Sequence, residues 1–292
     1  MTINELPISF ELFPPKTEAG LQNLQTQYEL LIPCNPRFFS VTYGAGGSTR
    51  DRTQRIVLDL LSRGIPAVPH LSCIAETGQS LQALLDLYQK AGVRYIVTLR
   101  GDLPQEVQDV ANEFHYANEL VAFIRQHYGH AFDLVVAAYP EVHPEAGSAQ
   151  QDLINFKRKV DAGASAAITQ YFYNADAYED FVHRCHQQGI TIPIYPGIMP
   201  ITNYDRLLRF SNQCGAELPR WLQQRLLDYK DEPESLQAFG TEVVANLCEK
   251  LIAIGVPGFH FYILNQATPT LNLLDALGLN QSASKVEAVK LS

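Results

Sequence analysis

Eight times along this chain a short apolar run of strand type gives way to a polar or glycine-containing cluster, with leucine-rich stretches of helical spacing between many of the runs. The clearest case is Tyr95-Ile96-Val97-Thr98-Leu99, which stops at Arg100-Gly101-Asp102. Strands buried on both faces read as continuous apolar runs, and parallel sheets of this kind bind their ligands beyond the carboxyl ends of the strands. Taken alone, Arg100-Gly101-Asp102 is equally compatible with a solvated turn holding an incidental ion pair. Its recurrence at strand after strand makes it an architectural pattern.

The runs fall at 8–13, 38–44, 67–73, 95–99, 134–143, 166–173, 192–198 and 259–265. Helical periodicity is clear around 21–32, 51–63, 80–91 and 111–128, and Ser148-Ala149-Gln150-Gln151 opens another helix in the manner of a capping box. About sixty residues separate the last two runs, room for two or three helices, and Thr268-Pro269 caps a final leucine-rich helix before a frayed tail from Gln281. Strands alternating with helices over 292 residues predict an α/β fold, a (β/α)8 TIM barrel with extra helices between strands 7 and 8, as one domain over 1–292.

Composition narrows the function classes. A formal charge of −9 argues against a nucleic-acid partner, and no apolar run reaches the roughly 18 residues a membrane helix needs. The start, MTINELPISF, lacks the basic and apolar regions of a secretion signal, so the expected location is cytoplasmic. Five widely spaced cysteines without a CxxC pair read as buried thiols of a reducing compartment, with no disulfide frame or zinc site expected.

Several residues stand out chemically. Glu11 lies inside an apolar strand, where an unpaired carboxylate costs several kcal/mol to bury, so it either faces polar groups at a mouth or holds a proton. Gly44-Ala45-Gly46-Gly47 resembles a phosphate loop but lacks the G-x-G-x-x-G spacing; a loop needing positive φ is the simpler reading. His70 is either a satisfied core histidine or a site residue. If 134–143 runs on as one extended segment, Glu141, His143 and Glu145 share a face, but the metal that cluster would imply lacks a second group of ligands. Lys157, Arg158 and Lys159 form either a solvated helix face or a cationic patch beside the mouth. A barrel would bring Glu11, Thr42, His70, Arg100, Asp102, Tyr139, His143 and Gln170 around that mouth, a catalytic composition without a named reaction.

Phe10-Glu11-Leu12-Phe13-Pro14-Pro15, Ser40-Val41-Thr42-Tyr43-Gly44-Ala45, Pro69-His70-Leu71, Leu99-Arg100-Gly101-Asp102-Leu103-Pro104, Ala138-Tyr139-Pro140-Glu141-Val142-His143-Pro144-Glu145, Lys157 through Ala164, Ile168-Thr169-Gln170 and Phe259-His260-Phe261-Tyr262 together resemble the methylenetetrahydrofolate reductase family, in order and over nearly the whole chain. The resemblance is to the bacterial form, an FAD-binding barrel that is usually a homotetramer, without the C-terminal regulatory domain of eukaryotic members. It implies that NADH or NADPH, with NADH favoured, reduces FAD and is then replaced by 5,10-methylenetetrahydrofolate, which leaves as 5-methyltetrahydrofolate for methionine synthesis.

By this resemblance Glu11 is the general acid that protonates the leaving amine when the folate ring opens, and Asp102 is the carboxylate that stabilises the iminium cation and meets flavin and pterin. Gln170 and Phe210 match folate contacts. Thr42, Tyr43, His70, Arg100, Gly101, Tyr116, Ala117, Tyr139, His143, Ala146, Asp152, Asn155, Arg158 and Lys159 match FAD contacts, which would give the basic helix a role toward phosphates and ribose. Gln266 stands where related members carry arginine and Arg206 where they carry glutamine, so the outer substrate contacts depart from the family pattern. An FAD barrel of proline-dehydrogenase type, which needs no acid at Glu11, and a catalytically silent barrel are the competing readings.

Overall fold

The computed structural model describes residues 6–43, 50–74, 76–101 and 113–279. Gly44-Ala45-Gly46-Gly47, Asp102 and the tail from Gln281 lie outside the described residues. Eight parallel strands pair in sequence order and close on themselves: β1 (Ile8–Leu12), β2 (Phe39–Val41), β3 (Ala67–Ser72), β4 (Tyr95–Leu99), β5 (Asp133–Ala138), β6 (Ala166–Tyr171), β7 (Ile194–Ile198) and β8 (Phe259–Tyr262). Around them run α1 (Glu18–Leu31), α2 (Arg50–Ser62), α3 (Gly78–Lys90), α4 (Ala117–Tyr128), α5 (Ala149–Asp161) and α6 (Ala175–Gln187). Three helices fill the long β7–β8 connection, α7 (Tyr204–Cys214), α8 (Arg220–Asp228) and α9 (Pro233–Ile254), and α10 (Ala267–Ala276) follows the last strand. The expected (β/α)8 barrel with its enlarged final connection is the observed fold.

Local chemistry sets the boundaries. Thr17, Thr77, Ser148, Asn174 and Asn203 each place a side-chain oxygen on a free backbone N–H at a helix start. At α10 the structure departs from the expected Thr268-Pro269 cap: Gln266 is the capping position, and the Gln27 side chain takes the Ala267 N–H. The fifth strand ends at Ala138 and does not continue to His143. Pro140 has no N–H to donate to a ladder, and Val142 turns the chain at φ 75°. Glu141 and His143 therefore lie beyond the strand and do not share a strand face.

Outward-facing residues of the strands pack on one another and on the helices: Phe10 meets Phe39 and Phe261 at 5.6 and 5.9 Å between ring centres, and Phe39 meets Tyr28 of α1 at 6.0 Å. Truncating any of these fully buried rings would cost about 3–5 kcal/mol. Inside the barrel, Phe38, Val68, Val97, Val135 and Ile168 form an apolar column. The β1–β2–β8 side of that interior is polar instead: Ser9, Glu11, Ser40 and His260 are all buried there. The register Ser9↔His260, Glu11↔Tyr262 and Glu11↔Ser40 sets them at successive levels. Gly197 on β7 is required by close approach, since a Cβ there would sit 2.2 Å from the Thr169 carbonyl and 2.5 Å from the Tyr262 ring.

Candidate active site

The carboxyl ends of the strands open into a cavity of about 530 Å³. Its lining includes Glu11, Thr42, Tyr43, His70, Arg100, Tyr139, His143, Gln170 and Phe210, nine of the residues singled out from the sequence. Several parts of the repeat deliver them. Glu11 and His70 come from strands, Arg100 and Tyr139 from the residue just past β4 and β5, and Phe210 from α7, which lies over the mouth.

Glu11 is on the floor, 7% exposed. Its Oε2 is 3.5 Å from His70 Nε2 and 3.8 Å from His260 Nε2. Burial pulls the His70 pKa down to about 4, outweighing the attraction of Glu11, so His70 is neutral at pH 7 and brings Glu11 no positive charge. His260 is fixed from below by Ser9, whose Oγ lies 2.7 Å from Nδ1, and Ser40 Oγ is 3.5 Å from Nε2. Ser9, Ser40 and His260 carried no assignment from the sequence alone. The signal was present as polar residues two apart in apolar strands, Ser9 with Glu11 and His260 with Tyr262, which places each pair on one face.

The side of the mouth beyond β4 and β5 carries an ion pair. Arg100 holds Glu145 in a two-pronged ion pair at 2.5 and 2.8 Å, and the guanidinium keeps the Glu145 carboxyl below its ordinary range. His143 packs edge-on to Tyr139 at 4.5 Å, and its backbone N–H goes to Asp152 on α5. Two helical turns further along α5, Lys159 donates to the Ala137 carbonyl at 2.5 Å, and burial of its ammonium lowers its pKa to about 8. Asn155 and Arg158 are paired with each other on the same helix, Arg158 exposed. Tyr116 and Ala117 sit at the start of α4, with Tyr116 60% exposed. Ala146 closes the turn after His143 through its N–H. None of Tyr116, Ala117, Ala146, Asp152, Asn155, Arg158 or Lys159 lines the cavity itself.

Two further features shape the rim. Tyr43 donates to Glu76 at 2.6 Å, and Glu76 also receives Arg50 and Ser80, which locks the second and third strand ends together. Gly101 has φ +87°, and a Cβ there would collide with Ser72 Oγ, itself bonded to the Arg100 carbonyl at 2.8 Å. Arg206 and Gln266, far apart in sequence, line one open groove with Arg209. That groove adjoins the mouth, because Phe210 and Leu264, their near neighbours in sequence, line the main cavity. Among the described residues, no group of three or more His, Cys, Asp or Glu is arranged to hold a metal, and no helix is long and apolar enough to cross a membrane.

The geometry is that of a polar site at the carboxyl ends of a barrel's strands, and comparison assigns the family. A model of the family described as methylenetetrahydrofolate reductase matches residues 2–278. The chain is 40% identical to the 5,10-methylenetetrahydrofolate reductase of Pectobacterium carotovorum over 95% of its length and 92% of that protein. It is 40% identical to the Escherichia coli protein of the same name over 94% and 92%. A rice protein named probable methylenetetrahydrofolate reductase (NADH) is 38% identical over 93% of this chain, which spans 48% of that longer protein. Among solved structures, a Clostridium thermocellum protein that binds two copies of 5-methyl-5,6,7,8-tetrahydrofolic acid shares the fold at a TM-score of 0.63, 17% identity, and 96% and 95% coverage. The chain belongs to the methylenetetrahydrofolate reductase family of oxidoreductases.

Proposed function

We propose that this protein reduces 5,10-methylenetetrahydrofolate to 5-methyltetrahydrofolate at the expense of NADH, through bound FAD and by a ping-pong sequence. The observation that carries the reading is a buried carboxyl, Glu11, with two histidines at the floor of a mouth that Arg100 and Glu145 also line. Opening the folate imidazolidine ring requires a proton on the departing amine nitrogen, and Glu11 is the acid on that floor. His70 and His260 flank its carboxyl at 3.5 and 3.8 Å, and neutral His70 brings it no positive charge.

The donor set fits FAD. Arg100 offers a planar guanidinium whose present partner, Glu145, is 61% exposed at its side chain and free to give way. Lys159 is a buried ammonium whose one side-chain hydrogen bond among the described residues goes to a neutral carbonyl, an arrangement that an anion nearby would stabilise. Arg100, His143, Lys159, Arg158 and Asn155 would hold the diphosphate and ribose, with Thr42, Tyr43, His70, Gly101, Tyr116, Ala117, Tyr139, Ala146 and Asp152 completing the contacts. When bound, the flavin would carry a hydride from the nicotinamide to the folate methylene carbon. Gln170 and Phe210 would orient the pterin, Asp102 would stabilise the iminium cation, and Arg206 with Gln266 would meet the outer part of the substrate.

A single mouth for nicotinamide and folate supports alternate occupancy, and the rice relative's name supports NADH as the reductant. A role in methionine synthesis, a cytoplasmic location and a homotetramer complete the proposal. The test is an anaerobic absorption spectrum of the purified protein. Flavin bands that bleach with NADH and return with methylenetetrahydrofolate are expected. Flavin that bleaches but does not return with the folate would point to a different acceptor, as in a proline-dehydrogenase type barrel. No flavin after reconstitution would remove the reading.

A further inference from the structure

The open groove beside the mouth holds about 330 Å³, and Arg206 and Arg209 of α7 line it with Asp205, Gln237 of α9 and Gln266 at the start of α10. Arg206, Phe210 and Gln213 follow one another at helical spacing, so they share one face of α7, on which Phe210 and Gln213 line the main cavity. Arg209 stands on the neighbouring row of the helix with Asp205, and these two line the groove but not the cavity. The two cations are thus graded outward from the mouth, Arg206 half-buried and Arg209 exposed.

Neither guanidinium is committed. Among the described residues neither makes a side-chain hydrogen bond or an ion pair, although Asp205 is four positions from Arg209; the Arg209 guanidinium instead lies 5.9 Å from the centre of the Phe210 ring. Arg50 and Arg100, by contrast, are each held by a carboxylate. In a chain of formal charge −9, two unpaired cations three positions apart make a local site for anions, which Asp205 weakens but does not cancel.

We propose that this groove takes the γ-linked glutamate tail of the folate, and that the protein therefore prefers polyglutamylated methylenetetrahydrofolate to the monoglutamate. The proposal rests on the folate reading of the mouth. A folate carries its pterin at one end and glutamate at the other, so a pterin placed against Phe210 leaves a tail that must pass out of the cavity, and the groove opens beside that ring. Arg206 meets the carboxylate of the first glutamate. Each glutamate added beyond it brings one more carboxylate, and Arg209 offers those a planar fork of donors. The side-chain amides of Gln237 and Gln266 both donate and accept, which suits the amide links of such a chain better than a compact phosphate.

Binding and turnover test this separately. Titration calorimetry of the flavin-loaded protein with 5-methyltetrahydrofolate carrying one or four glutamates should give a Kd about fivefold lower for the longer tail. Methylenetetrahydrofolates of the same two lengths should show that ratio in KM at similar kcat. Arg209→Gln should raise Kd and KM for the tetraglutamate about fivefold and those for the monoglutamate less than twofold, whereas Arg206→Gln should raise both. Raising salt from about 0.05 to 0.5 M should shrink the wild-type preference, since exposed ion pairs are screened. Equal Kd values for the two tails in wild type would overturn the proposal, and so would an Arg209→Gln protein that keeps the full preference. If Arg209→Gln instead weakened NADPH and left both folates alone, the groove would belong to a nucleotide phosphate and the proposal would fall. Tighter binding of the tetraglutamate with no reduction of either folate would overturn the reaction assigned to the mouth and uphold the groove's ligand; a protein that binds neither folate would overturn both.

Discussion

Glu141 accepts the backbone N–H of Glu217 at 2.7 Å, joining the turn after β5 to the link between α7 and α8. Burial, only partly offset by that bond, pushes the Glu141 pKa up to about 7. Between the unfolded value of 4.5 and about 7 the folded protein therefore holds a proton that the unfolded chain has lost. Stability is highest below that window and falls as pH rises through it. With the partial exposure of the group taken into account, the loss is about 1–2 kcal/mol. Glu141→Gln should keep the acceptor and remove the titration, so its melting temperature should exceed that of wild type at pH 8 and converge with it near pH 4.5. Parallel Tm–pH curves would exclude Glu141 as the source.

Glu11→Gln separates the two half-reactions. Bleaching of the flavin by NADH needs no acid and should stay within about twofold of wild type, while reduction of methylenetetrahydrofolate should slow by roughly 10²–10⁴. Stopped-flow absorbance follows both. A variant that turns over normally would leave the protonation of the leaving nitrogen without its residue.

Gly101→Ala combines two costs, a left-handed φ and a Cβ driven into Ser72 Oγ. A loss of about 2–4 kcal/mol in denaturant unfolding is expected. Because the obstructing atom is one hydroxyl, adding Ser72→Ala should return part of that loss. Strict additivity of the two substitutions would show that the collision is relieved in some other way.

Lys159, with a pKa lowered to about 8, should make cofactor affinity depend on pH. Above that value the ammonium is neutral and a phosphate loses its partner, so the Kd for FAD should rise with pH. The apoprotein should behave in the opposite sense. Between about 8 and the ordinary value of 10.5 the unfolded chain binds the extra proton, so stability gains a contribution as pH rises. Lys159→Met should abolish both dependences and weaken FAD by about 1.5–3 kcal/mol at pH 7, as flavin fluorescence titration would report.

Arg206→Gln addresses the groove beside the mouth. Loss of a half-exposed charge there should cost about 1 kcal/mol, a roughly fivefold rise in KM for the folate at unchanged kcat, with NADH bleaching unaffected. A change in the NADH half-reaction would place Arg206 with the shared mouth and not with the outer substrate.

The barrel was legible because its strands announce themselves by apolar runs and its turns by polar clusters, and both depend on near neighbours in sequence. Glu11 and His70 were legible for the same reason, as polar residues inside apolar runs, and Arg100 as the cation at which a run stops. What could not be read depends on the backbone or on distance. The direction of Glu141 follows from the positive φ at Val142, a β-branched residue whose propensity favours a strand. The joining of Arg206 and Gln266 in one groove, and of Ser9 with His260, follows from closure of the barrel, which no local window contains.

That closure also gives the protein a timetable. Ser9 and His260 are 251 positions apart, yet β1 lies against β8. At about 5–20 residues per second a ribosome needs roughly 10–50 s to make the intervening chain. Throughout that interval the nascent polypeptide already holds Glu11 but lacks the neighbour it packs beside. The acid is therefore completed among the last events of synthesis, and a chain released before β8 would leave β1 as an open edge beside an unfinished site.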